Sequence, residues 1–144
     1  PDYIVGITRG GLCPAVMLSQ ILEIPMYTLK VSLKNGEEVE CDHNLWMPEE
    51  AVGYGKMGCL EDIPKNILIV DDINDSGDAF NWIKSNWPPL CLPSNEIWDK
   101  IWHQNVRFAV VVNNLSSEFN VDYSALEINK LEDPVWIHFP WEYV

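Results

Sequence analysis

The feature that most constrains the fold is an uninterrupted aliphatic run, Ile-Leu-Ile-Val at 67–70, followed at once by Asp71 and Asp72. A continuous apolar run is typical of a strand that crossover helices bury on both faces in a parallel sheet. After the glycine turn at Gly77, the apolar residues within 79–87 share one helical face, and two prolines follow. We therefore predict a central parallel strand, an acidic pair at its end, a turn and a helix that the prolines terminate.

The same order of strand, glycine turn and helix occurs at the start of the chain. Residues 3–7 are apolar, 8–11 read Thr-Arg-Gly-Gly, and helical spacing continues to a break at Pro25. Further strands are predicted at 26–33, before an Asn35-Gly36 turn, and at 107–112. This alternation predicts an α/β fold with a doubly wound, mainly parallel sheet flanked by helices, in which ligands bind beyond the carboxyl ends of the strands. We expect both glycine turns to face one crevice and to hold two phosphate groups of a single ligand.

The remaining segments have weaker patterns. Residues 35–66 are polar and dotted with glycine, and we predict a long mobile excursion. We predict that Ser94 caps a short helix, and that the aromatic, proline-containing tail at 131–144 is a flap or packed extension. The length of 144 residues fits one domain, 1–144. We expect the true N-terminus to be missing, because an apolar run begins almost at once with no initiator Met.

Composition restricts the classes of function. A hydrophobic fraction of 47% predicts a folded chain, and a net charge of -13 would repel nucleic acid. An acidic protein that binds a polyanion needs local donors, such as backbone N–H groups, a helix N-terminus or bound cations. The four cysteines form no CxxC pair, and no apolar run is long enough to cross a membrane. We therefore expect a reduced, cytoplasmic protein without nucleic-acid or membrane partners.

The stretch at 71–80 has the chemistry of an anion site. Its residues 75–79 lie between a buried strand and a helix, so their N–H groups are expected to form a nest for a phosphate, with Ser76 as a further donor. Two adjacent carboxylates need hydrogen bonds or a cation, which sugar hydroxyls and Mg²⁺ provide. The alternative is that Asp71, Asp72 and Asp75 are ordinary turn and cap residues. Neither GxxxxGK[ST] nor GxGxxG occurs, so a different phosphate motif is needed.

Three segments resemble one family. The run ILIVDDINDSGDAF at 67–80 resembles the phosphoribosyl-diphosphate signature of type I phosphoribosyltransferases. GITRGGLCPA at 6–15 resembles the pyrophosphate loop of the xanthine, guanine and hypoxanthine branch, and WIHFPWE at 136–142 resembles its purine-binding tail. The resemblance is weakest at 35–66 and 86–106. It implies transfer of a phosphoribosyl group from phosphoribosyl diphosphate (PRPP) to a purine base, with Mg²⁺ as the cofactor.

The resemblance also implies roles for individual residues on the donor side. Asp71 and Asp72 would bind the ribose hydroxyls either directly or through Mg²⁺. They would hold that Mg²⁺ directly or through bound water. Asp75 would exchange a proton with the purine N7, and Arg9 would stabilise the leaving pyrophosphate, which makes these two the catalytic candidates. The residues implied to bind PRPP are Thr8, Gly10, Gly11, Asp71, Asp72, Asp75, Ser76, Gly77, Asp78 and Ala79.

On the acceptor side, Trp136 would stack on the purine and the Ile137 carbonyl would accept a hydrogen bond from it. The alternative for Trp136 is a core aromatic. Purine-selective members of the family carry a Lys after the strand that matches 107–112, whereas this chain has Asn113-Asn114. We expect Asn114 to contact the base, and an amide there accommodates either a 6-oxo or a 6-amino group.

Two further departures and two alternatives remain. Ala79 replaces the Thr that usually ends the phosphate loop. The resemblance also implies a flexible lid, for which 35–66 is the candidate, and a basic residue in or beside it, which could be Lys30, Lys34 or Lys56. The resemblance implies a homodimer or homotetramer whose partners are PRPP and a purine. The first alternative is a non-catalytic sensor of PRPP or a nucleotide on the same fold, since fold does not determine function. The second is a phosphoribosyltransferase for a non-purine base.

Overall fold

A computed structural model describes residues 1–54 and 63–143. Within those residues the strands are β1 (Tyr3–Thr8), β2 (Met26–Lys34), β3 (Glu37–Cys41), β4 (Ile67–Asn74), β5 (Val106–Asn114) and β6 (Tyr123–Ile128). The helices are α1 (Leu12–Leu22), α2 (Trp46–Val52), α3 (Asp78–Leu90) and α4 (Asn95–Trp98). The strands form one sheet in the order β3-β2-β1-β4-β5-β6, parallel throughout except for the β2-β3 hairpin. The predicted α/β fold with a mainly parallel sheet is confirmed.

Strand β4 lies in the middle of the sheet and is longer than predicted. Its aliphatic half is almost fully buried, and Ile69 pairs in register with Val5 on one side and Phe108 on the other. Pairing with β5 continues as far as Asn74. The acidic pair therefore lies within the strand and not after it, because β5 supplies backbone partners beyond the apolar run.

Helix α3 starts where the sequence predicts but includes the two prolines in its last turn, and it ends at Leu90. A proline near a helix end removes only one hydrogen bond before the chain turns away. The short helix α4 follows, and the Ser94 hydroxyl makes no capping hydrogen bond. Backbone N–H groups of residues 97 and 98 instead donate to the Ser94 carbonyl. Trp98 and Trp102 stack at 4.8 Å between ring centroids in the core.

The segment predicted to be a mobile lid is largely docked up to residue 54. Asn35 and Gly36 both have positive φ and form the β2-β3 turn, as predicted. The indole N–H of Trp82 on α3 donates to Glu38 of β3 over 3.1 Å. Helix α2 buries the Met47 side chain against the main core. Residues 37–52 thus contain a strand and a helix where the sequence showed no convincing period, and the role of 35–66 as a lid stays a prediction. Lys56 lies outside the described residues.

The described part of the tail, 131–143, contains no helix or strand, in agreement with the expected extension. Phe139 is buried and stacks on Trp141 with ring centroids 4.9 Å apart. Across residues 1–54 and 63–143, each helix is too short or too polar to cross a membrane.

Candidate active site

The first glycine turn lies at the carboxyl edge of the sheet against Asp72, and the two turns line separate cavities rather than the single crevice that was expected. Strands β1 and β4 are parallel neighbours, so the turn after β1 lies directly beside the second half of β4. A Cβ atom on Gly10 would overlap the Asp72 carboxylate, and one on Gly11 would overlap the carbonyl oxygen of Val70. Both glycines are thus required by the packing of the loop on β4. The peptide bond between Thr8 and Arg9 is cis.

The acidic pair occupies this junction. Asp71 is half-buried and Asp72 is 9% exposed. The Asp71 carboxylate accepts from the Asp72 N–H over 2.9 Å, and the Asp72 carboxylate accepts from the Ile73 N–H over 2.8 Å. Burial, and next the charge of Asp72, raise the pKa of Asp71 well above its usual value. Among the described residues neither carboxylate forms an ion pair with Lys, Arg or His. The site therefore favours a ligand that brings a cation or hydroxyl groups.

The donor set fits Mg²⁺. Asp71 and Asp72 offer carboxylate oxygens, the ligand type that a hard cation prefers. Within the described residues there is no cluster of three or more acidic, His or Cys side chains that could hold a metal. Mg²⁺ is commonly bound by one or two carboxylates together with substrate oxygens and water. A pair of aspartates beside a polyanion site meets that requirement without a complete protein cage.

Residues 75–79, predicted to form an anion nest, lie at the start of α3. Among the described residues, the N–H groups of 76, 77, 79 and 80 have no acceptor, and the Asp78 N–H donates to Ser76 Oγ over 3.3 Å. The helix dipole adds positive potential at this end. A cavity of about 100 Å³ opens onto the nest. Asp78 points towards Gly36 of the hairpin, where its carboxylate lies about 4 Å from the position of a Cβ atom.

Gly77 is also required by the backbone conformation and by packing against the loop between β5 and β6. Its φ of 93° is a conformation that L side chains rarely adopt, and an added Cβ would lie 2.8 Å from the Phe119 side chain. The carbonyl of Ser76 also accepts from the Glu118 N–H over 3.0 Å. The loop between β5 and β6 therefore packs against the nest and shapes it.

A buried amide that the sequence analysis missed holds that loop. Asn74, the last residue of β4, is 1% exposed. Its amide nitrogen donates to Asn113 Oδ1 over 2.9 Å and to the Phe119 carbonyl over 2.8 Å. Its amide oxygen accepts from Ser117 Oγ over 2.8 Å. One amide at the end of β4 thus fixes both the end of β5 and the loop that supports the nest.

Asn114, expected to contact the base, is 5% exposed and bonded on both sides of its amide. The nitrogen donates to the backbone carbonyl of Asp75 over 3.0 Å, and the oxygen accepts from Ser116 Oγ over 2.9 Å and from the Lys130 N–H over 3.1 Å. The geometry favours a positioning role for Asn114 over the expected direct contact.

Asp75 faces a cation that the sequence analysis also missed. Lys130 Nζ lies 2.9 Å from Asp75 Oδ2 and 5.7 Å from the centroid of the Trp136 ring. The Lys130 side chain is 21% exposed, and that of Asp75 is 48% exposed. Lys130 follows β6, an edge strand without an apolar run, so no local pattern marks its position. The sequence contained one indirect signal, which is that no Lys follows β5.

The tail faces the first glycine turn across a cleft of about 670 Å³, lined by Arg9, Gly10, Asp72, Trp136, His138, Trp141, Glu142 and Tyr143. Trp136 is 77% exposed, which excludes the alternative of a core aromatic. Within the described residues the backbone groups of Ile137 make no hydrogen bond to other backbone groups. The exposed indole of Trp136 thus lies across the cleft from Asp72, whereas Ile137 does not line this cleft.

A second cleft, of about 610 Å³, lies on the other side of the first turn. Thr8 and Arg9 line it together with residues 30–33 of β2. Thr8 is in register with Lys30, whose Nζ forms an ion pair of 2.6 Å with Glu40. Lys30 thus lies beside the turn, Lys34 does not line this cleft, and Lys56 lies outside the described residues.

Comparisons with known proteins agree with this geometry. A family model described as "Phosphoribosyl transferase domain" matches residues 1–84, which include both glycine turns and the acidic pair. Xanthine-guanine phosphoribosyltransferase of Cereibacter sphaeroides is 30% identical over 141 residues, covering 96% of this chain and 68% of that protein. Hypoxanthine-guanine phosphoribosyltransferase of Schizosaccharomyces pombe is 24% identical, covering 99% and 77%. The crystal structure of a purine phosphoribosyltransferase from Pyrococcus horikoshii has a TM-score of 0.65 at 26% identity, covering 100% and 79%. The chain therefore belongs to the phosphoribosyl transferase domain family.

Proposed function

We propose that this protein transfers the 5-phosphoribosyl group of PRPP to a purine base, giving a purine nucleoside monophosphate and pyrophosphate. The observation that carries the proposal is the acidic pair between two cavities: Asp71 lines the cavity at 75–79, and Asp72 lines the cleft between the first glycine turn and the exposed Trp136. PRPP has two anionic ends joined by a hydroxylated sugar, so this order of groups matches its chemistry. The purine names of the sequence relatives support the choice of acceptor.

The donor would bind along the carboxyl edge of β1 and β4. The free amides of 76, 77, 79 and 80 would receive the 5-phosphate. Asp71 and Asp72 would accept from the ribose hydroxyls and hold Mg²⁺ by their carboxylate oxygens. The turn at 8–11 would bind the pyrophosphate, with the Arg9 guanidinium adding positive charge. Mg²⁺, when bound, would supply charge neutralisation at the departing pyrophosphate.

The base would stack on Trp136, with the Ile137 carbonyl accepting from an N–H of the ring or an exocyclic amine. In the reaction a purine nitrogen forms a bond to C1 of the ribose as the bond from C1 to the pyrophosphate oxygen breaks. The proton released from the imidazole ring passes to the Asp75 carboxylate, if the ring lies within hydrogen-bond reach. Because the oxocarbenium-like sugar reacts with water, the reaction needs a cover that excludes solvent, and the segment 35–66 stays the candidate.

One assay tests the proposal. The protein is mixed with Mg²⁺, labelled PRPP and, in turn, hypoxanthine, guanine, xanthine, adenine, uracil and orotate, and nucleotide and pyrophosphate are measured. We expect turnover with at least one purine and its loss when EDTA removes Mg²⁺. Tight PRPP binding without turnover on any base would instead identify a sensor, and turnover only on a non-purine would overturn the acceptor assignment.

We also propose a homodimer or homotetramer. Helix α1 exposes a row of apolar side chains, of which Ile21 is 72% and Met17 is 55% exposed. Exposed apolar surface of this kind is a common feature of subunit interfaces. Sedimentation equilibrium measures the assembly, and a monomer at assay concentrations would contradict the proposal.

A further inference from the structure

We propose that a cavity at the amino-terminal edge of the sheet binds a small organic anion, whose carboxylate or phosphate group pairs with the Arg107 guanidinium. The cavity has a volume of about 350 Å³, a size typical of small-molecule sites. The residues that line it include Asn66, Ile67, Leu68, Gln104, Arg107 and Tyr123. The inference goes beyond the proposed function, because none of these residues belongs to the site for PRPP and the base.

This cavity lies at the opposite edge of the sheet from the candidate active site. Leu68 and Arg107 are the second residues of β4 and β5 and pair with each other, and Tyr123 is the first residue of β6. Asp75 follows the other end of β4. A strand rises about 3.3 Å per residue, so the stretch from 68 to 75 spans roughly 20 Å. A ligand in the cavity and PRPP at the active site can therefore bind at the same time.

The Arg107 guanidinium is oriented but incompletely bonded. Its Nε donates to the Gln104 carbonyl over 2.8 Å, and one terminal nitrogen donates to the Tyr123 hydroxyl oxygen over 2.6 Å. A guanidinium has five N–H donors in a planar fork, so three remain, which suit the paired oxygens of a carboxylate or phosphate. Because the Tyr123 oxygen accepts in this contact, its own hydrogen is free to donate to the same ligand.

The charge of Arg107 has no acidic partner in the described part of the chain. Asp and Glu outnumber Lys and Arg by 22 to 9, and Lys30 and Lys130 both form ion pairs. Arg107 forms none within residues 1–54 and 63–143, and neither Asp nor Glu is among the described residues that line the cavity. Asn66 and Gln104 supply neutral amides instead. In a protein this acidic, a cation among neutral polar groups favours an anionic ligand.

The side chains around the guanidinium also favour an apolar body for the ligand. Leu68 lies beside Arg107 on the same face of the sheet, because the two residues are register partners. Tyr123 is the partner of Ala109, two residues after Arg107, and therefore lies on that face as well. Its side chain is 49% exposed. An aliphatic chain and an aromatic ring thus flank the charge, which matches an anion that carries a ring or a short hydrocarbon group.

An NMR titration of the isotope-labelled chain locates binding residue by residue. Phenyl phosphate, benzoate and inorganic phosphate are added separately, and backbone amide shifts are followed at 104–107 and 123 and, in the nest, at 76–80. We expect both aromatic probes to shift 104–107 and 123 and to bind there more tightly than inorganic phosphate. The tighter of the two identifies the preferred anionic group. Saturation with Mg²⁺ and PRPP is expected to leave these shifts unchanged.

Two substitutions at Arg107 separate charge from geometry. Arg107→Gln is expected to weaken binding of the tighter probe roughly 10- to 100-fold, the range for loss of a charged hydrogen bond. Arg107→Lys keeps the charge without the planar fork and is expected to give an intermediate affinity. The matched control, Lys100→Gln, removes an exposed cation outside the cavity and is expected to leave the affinity unchanged. Thermal unfolding of each variant checks that it is folded.

Three outcomes would overturn the inference. Shifts confined to 76–80 would show that the probes bind only in the nest. An affinity that Arg107→Gln leaves unchanged would show that the arginine only bridges Gln104 and Tyr123. Equally tight binding of inorganic phosphate would show that the cavity does not recognise an organic body. Failure of the proposed function leaves this test intact, because the shifts at 104–107 are measured without turnover.

Discussion

At the scale of single residues, the three aspartates of the candidate site differ in their surroundings. Asp71 and Asp72 are packed against each other and the first glycine turn, whereas Asp75 is half exposed and paired with Lys130. The sequence analysis assigned different roles to these aspartates, and the structure gives them different surroundings. Their roles remain predictions, and two substitutions separate them.

Asp75→Asn tests proton transfer. The amide has a similar shape but cannot take a proton from the purine, so kcat should fall by about 10²- to 10⁴-fold, the usual contribution of a general base. PRPP affinity, measured by calorimetry, should change by less than about threefold, because the phosphate nest is unaltered. Asp99→Asn, an exposed aspartate after α4, is the matched control. An unchanged kcat would exclude Asp75 from catalysis.

Asp71→Asn tests whether repulsion within the acidic pair destabilises the ligand-free protein and whether the pair binds Mg²⁺ and PRPP. Removing one of two enclosed, adjacent carboxylates relieves repulsion, so the ligand-free variant should unfold at a higher temperature than the wild type. The same change should abolish the additional stabilisation that Mg²⁺ and PRPP together give the wild type, since a ligand for both is lost. Differential scanning calorimetry with and without the ligands measures both effects. A lower melting temperature for the ligand-free variant would contradict the repulsion argument.

At the scale of elements, the carboxyl end of β4 organises the site. Its last residue, Asn74, ties the loop between β5 and β6 to the strand, and that loop packs on Gly77. The nest therefore depends on a contact between segments that are about 45 residues apart in sequence. The edge strands were harder to predict. Strand β3 is Glu-Glu-Val-Glu-Cys and β6 is almost entirely exposed, so neither has the buried face that produces a recognisable pattern.

Asn74→Ala should loosen this arrangement. Three buried or half-buried partners lose their hydrogen bonds at once, and we expect a loss of about 1–3 kcal/mol in the free energy of unfolding. PRPP affinity should also fall, because the support of the nest is lost. Asn86→Ala, which removes one hydrogen bond to the Trp82 carbonyl on α3, should cost less and leave PRPP affinity unchanged. Urea titration and calorimetry compare the two, and equal effects would contradict the role of Asn74.

At the scale of the whole molecule, aromatic residues divide into two populations. Trp87, Trp98 and Phe108 are among the largest fully buried side chains, whereas Trp136 is 77% exposed at the cleft. Composition alone does not distinguish a tryptophan that stabilises the core from one that binds a ligand. Burial does, and it predicts opposite consequences for the same substitution.

Trp98→Ala and Trp136→Ala compare the loss of a buried tryptophan with the loss of an exposed one. Truncation of the buried Trp98 should reduce the free energy of unfolding by about 3–5 kcal/mol, through lost burial and the cavity that remains. Trp136→Ala should change stability by less than about 0.5 kcal/mol. It should instead raise the KM for the purine by roughly 5- to 100-fold, as expected for the loss of stacking on a base. An unchanged KM would place the base elsewhere.

The sequence by itself determined the central strand, the alternation of strands and helices, both glycine turns and the acidic pair. Each of these is a local pattern, because burial on two faces, a turn or an anion nest needs particular residues at short spacing. Only the tertiary structure decided that the acidic pair lies within β4, that 37–52 is docked, and that Lys130 reaches Asp75. These depend on how far neighbouring strands pair and on which distant side chains they bring together, and no short stretch of sequence contains that information.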